Sequence, residues 1–149
     1  MEKKTAEPRD GETMKAETEK ASSRILEMIG LKARLTRGRA MLIDCSGYEP
    51  EGKVQQTRHP WSISGFPFEE LEKAYAGMRT ALPKSGWRIT SDGPNESAAK
   101  TPTLVANSPN GDFSVKLRLM DRRGDANPEA TTSLIHVAVV SRCFEDAPS

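Results

Sequence analysis

The sequence predicts an α+β fold, a two-layer sandwich in which two helices cover one face of an antiparallel sheet of about five to six strands. Two segments, at 13–29 and 67–82, carry apolar residues at helical spacing. Several other segments alternate apolar and polar residues, as strands with one buried face do. The predicted order is α-β-β-α-β-β-β-β, and helices gathered on one face of an antiparallel sheet form such a sandwich.

The first helix is predicted to begin at Thr13, as N-cap, and to end at Gly30. Its apolar residues recur near every 3.6 positions and define one face: Met14, Ala21, Ile25, Met28 and Ile29. The polar, charged residues 1–12 are expected to form a disordered tail or tether. A single domain is predicted for 13–146, as befits a chain of 149 residues.

Residues 40–46 predict the first strand, with three residues on one face that we expect to point inward: Met41, Ile43 and Cys45. A second extended stretch runs from 53 to 63. Pro60 has no amide hydrogen to donate to a ladder, so it predicts a bend, a bulge or an edge in this stretch.

The second helix is the clearest element. Pro67 suits a first helical turn, and Glu69 and Glu70 suit the positive end of a helix. Pro83 and Gly86 are expected to end it, after the apolar stripe of Leu71, Ala74, Tyr75, Met78 and Leu82.

A hairpin follows a short strand at 87–89 and a polar loop at 91–101. Asn110-Gly111 is a strong turn signal between predicted strands at 103–107 and 113–120. After a charged loop at 121–130, a last strand is predicted at 132–143, with four residues in phase: Ile135, Val137, Val139 and Cys143.

The two cysteines are too far apart in sequence for a CxxC redox or zinc pair. Each shares its strand phase with residues that we expect to face the core. If the first and last strands are neighbours, Cys45 and Cys143 meet there, and we infer a disulfide between them. A persistent disulfide implies an oxidising compartment. The alternative is two buried free thiols in a cytosolic domain.

Composition excludes several classes of partner. The net charge of +1 gives no whole-molecule attraction to nucleic acid or anionic lipid. No apolar run approaches the roughly 18 to 20 residues that span a bilayer. The segment 1–20 has no apolar signal core. The chain is therefore expected to be cytosolic, or to be a mature segment whose export signal was removed. We expect a monomer with no cofactor.

Three chemical motifs are present by letter only. Residues 47–53 have P-loop spacing, but Val54 stands where a Ser or Thr would bind magnesium, and no helix follows. Residues 97–100 match S-x-x-K within a polar loop. A triad of His136, Ser141 and Asp44 lacks a nucleophile turn and an oxyanion hole. His136 is expected on the exposed strand face, and His59 at the bend beside Pro60. No spacing indicates a metal site.

A basic cluster lies between the first helix and the first strand, formed by Lys32, Arg34, Arg37 and Arg39. It indicates either contact with phosphate, anionic lipid or an acidic polymer, or a solvated loop. Five aromatic residues are expected either to form core or to line a ligand groove: Tyr48, Trp61, Tyr75, Trp87 and Phe113.

The sequence contains four short motifs in this order: Cys45-Ser46, W-x-I-x-G at 61–65, Leu82-Pro83-x-x-Gly86-Trp87, and Ser141-Arg142-Cys143-Phe144. Over residues 13–145 the chain resembles small lipoproteins and secreted proteins of actinomycete (Streptomyces-type) envelopes. The resemblance implies a cell-envelope location, with a lipid anchor removed, and an envelope partner or small ligand. It supplies no catalytic residues.

Our first hypothesis is therefore a non-enzymatic extracellular or envelope binding module, the soluble part of a lipoprotein. The second is a cytosolic regulatory or binding protein with reduced cysteines. The third is a small hydrolase with an unrecognised site, which a deep pocket holding a histidine beside a carboxylate would favour.

Overall fold

The computed structural model describes residues 4–31, 35–96, 100–124 and 133–147. These residues form two helices, α1 (Gly11–Ile29) and α2 (Phe68–Lys84). Eleven strands complete the described part: β1 Lys4–Thr5, β2 Pro8–Arg9, β3 Leu35–Arg37, β4 Met41–Asp44, β5 Tyr48–Glu49, β6 Val54–Ser64, β7 Arg88–Pro94, β8 Pro102–Asn107, β9 Phe113–Met120, β10 Leu134–Ser141 and β11 Phe144–Asp146.

The predicted α+β class is confirmed, but the sheet is larger than expected and mixed rather than purely antiparallel. Nine of the described strands form one sheet, while β1 and β5 pair separately. From β6, the strands β10, β9, β8 and β7 follow one another in antiparallel pairs. The parallel pairs are β2 with β11 and β1 with β5, so part of the predicted tail joins the fold through backbone hydrogen bonds.

Strand β6 has partner strands along both of its edges. Gln55 pairs with both Asp44 and Phe144, and Arg58 pairs with both Met41 and Val140. Strands β10 and β11 therefore lie along one edge of β6, and β3 and β4 lie along the other. Pro60 falls in the gap between β3 and β4, where no partner strand needs its missing amide hydrogen.

Both helices pack against the same face of the sheet. Helix α1 contacts β6 and β10, α2 contacts β7, β9 and β10, and the helices contact each other. The alternate residues of the strands supply the other half of this core, with Ile63, Leu104, Val115, Leu117, Ile135, Val137 and Val139 fully buried. Removing these side chains from water is the main stabilising contribution to a fold of this kind.

Helix α1 begins at Gly11, and its N-cap is Asp10 rather than Thr13. The Asp10 carboxylate accepts hydrogen bonds from the Thr13 amide at 3.2 Å and the Thr13 hydroxyl at 2.7 Å. The prediction failed because a carboxylate three residues before an amide caps a helix as well as a hydroxyl does. The predicted end is confirmed, since Gly30 is the left-handed C-cap.

The predicted phase of the first strand is wrong by one residue. Leu42 lies opposite the buried Thr57 and packs against the core, whereas Met41 is 46% exposed. A strand so short offers too few residues for alternation to define its inward face, and a slip of one residue exchanges the two faces.

The disulfide between Cys45 and Cys143 is present, with Cα atoms 6.3 Å apart. The adjacency from which we inferred it is wrong, because β6 lies between β4 and β10. Cys45 follows β4, and Cys143 lies between β10 and β11, so the bridge links the two edges across β6. The Cys45 amide donates to the carbonyl of Val54, the first residue of β6, whose side chain is 1% exposed.

Candidate functional site: a groove beside the first helix

The described part of the protein contains a groove of about 940 Å³. It lies between α1 on one side and the turn that joins β8 to β9 on the other. A volume of this size is at the upper end of the range for small-molecule sites. Its walls combine apolar and charged side chains: Arg9, Asp10, Thr13, Met14, Glu17, Arg24, Glu27, Met28, Ser85, Trp87, Ser108, Pro109, Asn110, Asp112, Phe113, Arg142 and Phe144.

One long side of the groove is a single side of α1. The helix residues that line it are separated by three, four or seven positions, from Thr13 and Met14 through Glu17 to Arg24 and Met28, so they share one face. Met14 is buried and Met28 is half-buried, while the charged residues between them are exposed. This side of the helix thus presents an apolar strip with charges along it.

The floor of the groove is aromatic. Trp87, Phe113 and Phe144 line it, and all three are buried. Trp87 lies three residues after the last residue of α2, and its amide donates to the Leu82 carbonyl at 2.9 Å. Phe113 begins β9, and its amide donates to the Ser108 hydroxyl at 3.0 Å. The floor is therefore anchored to the sheet and to the end of α2.

The opposite wall is the β8–β9 turn, which is held by its own hydrogen bonds. The Gly111 amide donates to the Ser108 carbonyl at 2.9 Å, and the Asp112 amide donates to the Asn110 side-chain oxygen at 3.0 Å. Gly86 brings the end of α2 against this turn, because a Cβ at Gly86 would lie 3.0 Å from Pro109 Cγ. The wall is thus preformed, and the predicted Asn-Gly turn is confirmed.

Charge at the rim is mixed. Three arginines and four carboxylates line the groove, so the rim is close to neutral: Arg9, Arg24, Arg142, Asp10, Glu17, Glu27 and Asp112. Arg142 forms an ion pair with Asp112 at 3.3 Å and another with Glu7. The hydrogen bond from Arg9 and the nearby Arg142 hold the pKa of Glu7 below its usual value. The site is suited to a ligand with an apolar body and little net charge.

Of the predicted basic cluster, the structure describes only the side chain of Arg39. Lys32 and Arg34 lie outside the described residues, and so does the side chain of Arg37, although its backbone belongs to β3. Arg39 is exposed and does not line the groove. Contact of this cluster with an anionic surface stays a prediction.

Four of the five aromatic residues named from the sequence belong to the core, and two of these four also line the groove. Trp87 and Phe113 line the groove, whereas Trp61 and Tyr75 belong to the interior of the core. The sequence pattern did not indicate that Phe144, Met14 and Met28 line a groove. The helical stripe that contains both methionines was visible, but periodicity does not show where a helix leaves its neighbours uncovered.

The triad considered from the sequence is not assembled. Ser141 is buried on the helix side of the sheet, where its hydroxyl donates to the Arg142 carbonyl at 2.8 Å. His136 lies on the other face, opposite Arg118. Residues 47–53 contain β5 and a turn that leads directly into β6, so the P-loop spacing ends in a strand. Three residues of the S-x-x-K motif, 97–99, lie outside the described residues.

His59 is buried beside Pro60 and makes hydrogen bonds there, but both residues lie within the continuous strand β6 and not at the predicted bend. Its Nδ1 is 2.6 Å from the Ser22 hydroxyl, and its Nε2 is 2.7 Å from the Gly38 carbonyl. Since a carbonyl only accepts, Nε2 carries the proton and Nδ1 accepts from Ser22. Within the described ranges, no group of three or more His, Cys, Asp or Glu residues is placed to hold a metal ion. No helix in those ranges is long and apolar enough to cross a membrane.

Comparison of the chain with protein-family models, with curated proteins and with solved structures finds no match.

Proposed function

We propose that this protein is a non-enzymatic binding module of an extracellular or cell-envelope compartment, and that the groove beside α1 is its ligand site. The observation that carries the proposal is the aromatic floor of the groove, formed by Trp87, Phe113 and Phe144 between preformed walls. Apolar floors with a few polar groups at the rim are typical of small-molecule sites.

The chemistry of the rim defines the class of ligand. Because the arginines and carboxylates nearly balance, a strongly charged ligand of either sign would meet repulsion along part of the rim. The methionines of α1 add a polarizable, adaptable apolar wall. We infer an elongated, amphipathic ligand that carries its apolar part against Trp87 and Phe113.

The proposed location rests on the disulfide, since disulfides persist in oxidising compartments and are rare in the cytosol. Titration of thiols in denatured protein, isolated from its native source with free thiols blocked at lysis, is expected to find none. Two free thiols would contradict the extracellular proposal and favour the cytosolic alternative. The lipoprotein anchor implied by the sequence resemblance stays part of this proposal.

A hydrolase remains the competing chemical class. That hypothesis expects a histidine beside a carboxylate in a deep pocket, whereas the described lining of the groove contains carboxylates but neither histidine. The lining thus supports binding over acid–base catalysis by histidine.

The groove is tested with 1-anilinonaphthalene-8-sulfonate, a dye that brightens in apolar sites. We expect the protein to bind this dye, and Met28→Glu to weaken binding about tenfold, because it removes apolar contact and adds a charge to the wall. Met41→Glu is the matched control, since Met41 is exposed and does not line the groove. Circular dichroism checks that both variants fold.

Equal binding by both folded variants would show that the dye occupies another surface. Absence of dye binding by the unmodified protein would argue against the groove as an apolar ligand site.

A further inference from the structure

On the face turned away from the helices, the part of the sheet from β6 to β7 carries charge of one sign, and we name this part the open face; Glu145 of β11, opposite Val54, lies on the same side beyond its end. The open face consists of the residues of β6 to β10 that alternate with the core residues, together with Met41 and Ile43 of β4. Among these described positions there is no Asp or Glu. The charged or titratable residues are Arg58, Arg88, Lys116, Arg118 and His136. A chain with a net charge of only +1 therefore has one basic face.

The strand register sets three of these side chains close together. Arg118 lies directly opposite His136 on β10, and Thr103 on β8 is its other neighbour. Lys116 is two residues along the same strand and therefore on the same face. Arg58, on the far side of β10, lies opposite Val140. Between β6 and β7 these charges span four strand spacings, about 19 Å in all.

The arginines of the open face affect the hydrogen bonding and the pKa of His136. The Arg118 guanidinium donates from Nη2 to His136 Nδ1 at 3.2 Å, so the imidazole accepts and is neutral. Burial, followed by the charges of Arg118 and Arg58, lowers the pKa of His136 below its usual 6.5. Arg118 Nε is buried without a partner in the described part of the chain. The positive charges of Arg118 and Arg58 thus act on His136, and no Asp or Glu on the described open face offsets them.

We propose that the open face binds a linear polyanion that carries phosphate groups. An extended chain of negative charges complements basic side chains that lie on β6, β9 and β7, and it needs no pocket. Neither cavity described in the protein includes a residue of this cluster. The proposal is independent of the groove beside α1, which lies on the helix side of the sheet.

Two other occupants fit the open face less well. Single-stranded nucleic acid is held largely by stacking of bases on aromatic side chains, and the described positions of this face carry no Phe, Tyr or Trp. A membrane surface favours protruding apolar residues beside basic ones. Of the described large apolar residues, Met41 alone is exposed.

The first experiment uses short-chain inorganic polyphosphate in low-salt buffer, with His136 as an NMR reporter. Bound phosphate stabilises the imidazolium, so we expect the pKa of His136 to rise on binding, while the resonances of the buried His59 move little. Binding should weaken as salt is added, because displaced counterions favour association. Orthophosphate at equal total phosphate should raise this pKa less. An unchanged pKa for His136 in the presence of polyphosphate would overturn the proposal.

The second experiment tests whether binding depends on the charges of the open face or only on the net charge of the protein. Arg58→Gln with Lys116→Gln removes two exposed charges from the open face, and we expect polyphosphate to bind about tenfold more weakly, roughly threefold for each charge. Lys73→Gln with Lys84→Gln is the matched control, because both lysines are exposed on α2 and the charge change is identical. Equal weakening by both pairs would overturn the proposal. Binding to phosphatidylglycerol vesicles without binding to polyphosphate would also overturn it, in favour of a membrane.

Discussion

His59 is the residue that joins α1, β6 and the segment before β4. Its ring is buried, and its two nitrogens engage the Ser22 hydroxyl of α1 and the Gly38 carbonyl. This position lies in the gap between β3 and β4, where β6 has no neighbouring strand on that edge. The side chain thus supplies contacts that a strand would otherwise make.

We expect His59→Ala to lower the free energy of unfolding by about 2–4 kcal/mol. The change opens a cavity and leaves the buried Ser22 hydroxyl without its acceptor. Denaturation by urea, followed by circular dichroism, measures the effect. His136→Ala, on the open face, is the comparison and should lower stability by less than about 1 kcal/mol. Equal losses in the two variants would mean that His59 does not tie these segments together.

Helix α1 is held at its first turn by a carboxylate from the other end of the chain. The Gly11 amide donates to Asp146 Oδ1 at 3.0 Å, and a Cβ at Gly11 would lie 2.7 Å from the same oxygen. A carboxylate at this end also interacts favourably with the helix dipole. In α2, by contrast, Gly77 has nothing within 4 Å of a Cβ.

At the scale of the helix, these two glycines should respond to alanine in opposite ways. Gly77→Ala is expected to stabilise the protein by roughly 0.5–1 kcal/mol, because alanine loses less entropy in an exposed helix. Gly11→Ala should destabilise it by about 1 kcal/mol, since the methyl group displaces Asp146 from its hydrogen bond. Thermal unfolding of both variants measures the difference. Stabilisation by Gly11→Ala would show that Asp146 moves aside without loss.

The elements also show which parts of the fold the sequence could predict. Helix α2 was predictable because 17 residues carry an apolar stripe between a proline start and a glycine-containing stop. Strand β4 has four residues, so its inward face depended on its pairing with β6 and not on its own alternation. The groove could not be predicted from the sequence. Phe144 and Trp87 come to line the same groove only when β11 and the end of α2 are brought together by the fold.

For the whole molecule, a single covalent link joins regions that are distant in sequence. Cys45 and Cys143 are 98 residues apart, and the loop they close contains both α2 and the β7–β10 sheet. The sequence led to this pair although the assumed strand neighbours and the inward phase of Cys45 were both wrong. The reason is that β6 passes between the two edge segments and the bridge crosses it, a geometry that strand periodicity does not encode.

We expect the double variant Cys45→Ala with Cys143→Ala to lose about 4–5 kcal/mol of stability, because a loop of this length strongly restricts the unfolded chain. Small domains have about 5–15 kcal/mol in total, so the loss is large. Guanidinium unfolding should show a lower midpoint and a steeper denaturant dependence, since the unlinked chain exposes more surface on unfolding. The unmodified protein with a reducing agent should match the double variant, whereas the agent should not affect the variant itself. An unchanged midpoint in both would mean that the link across β6 contributes little to the stability of the fold.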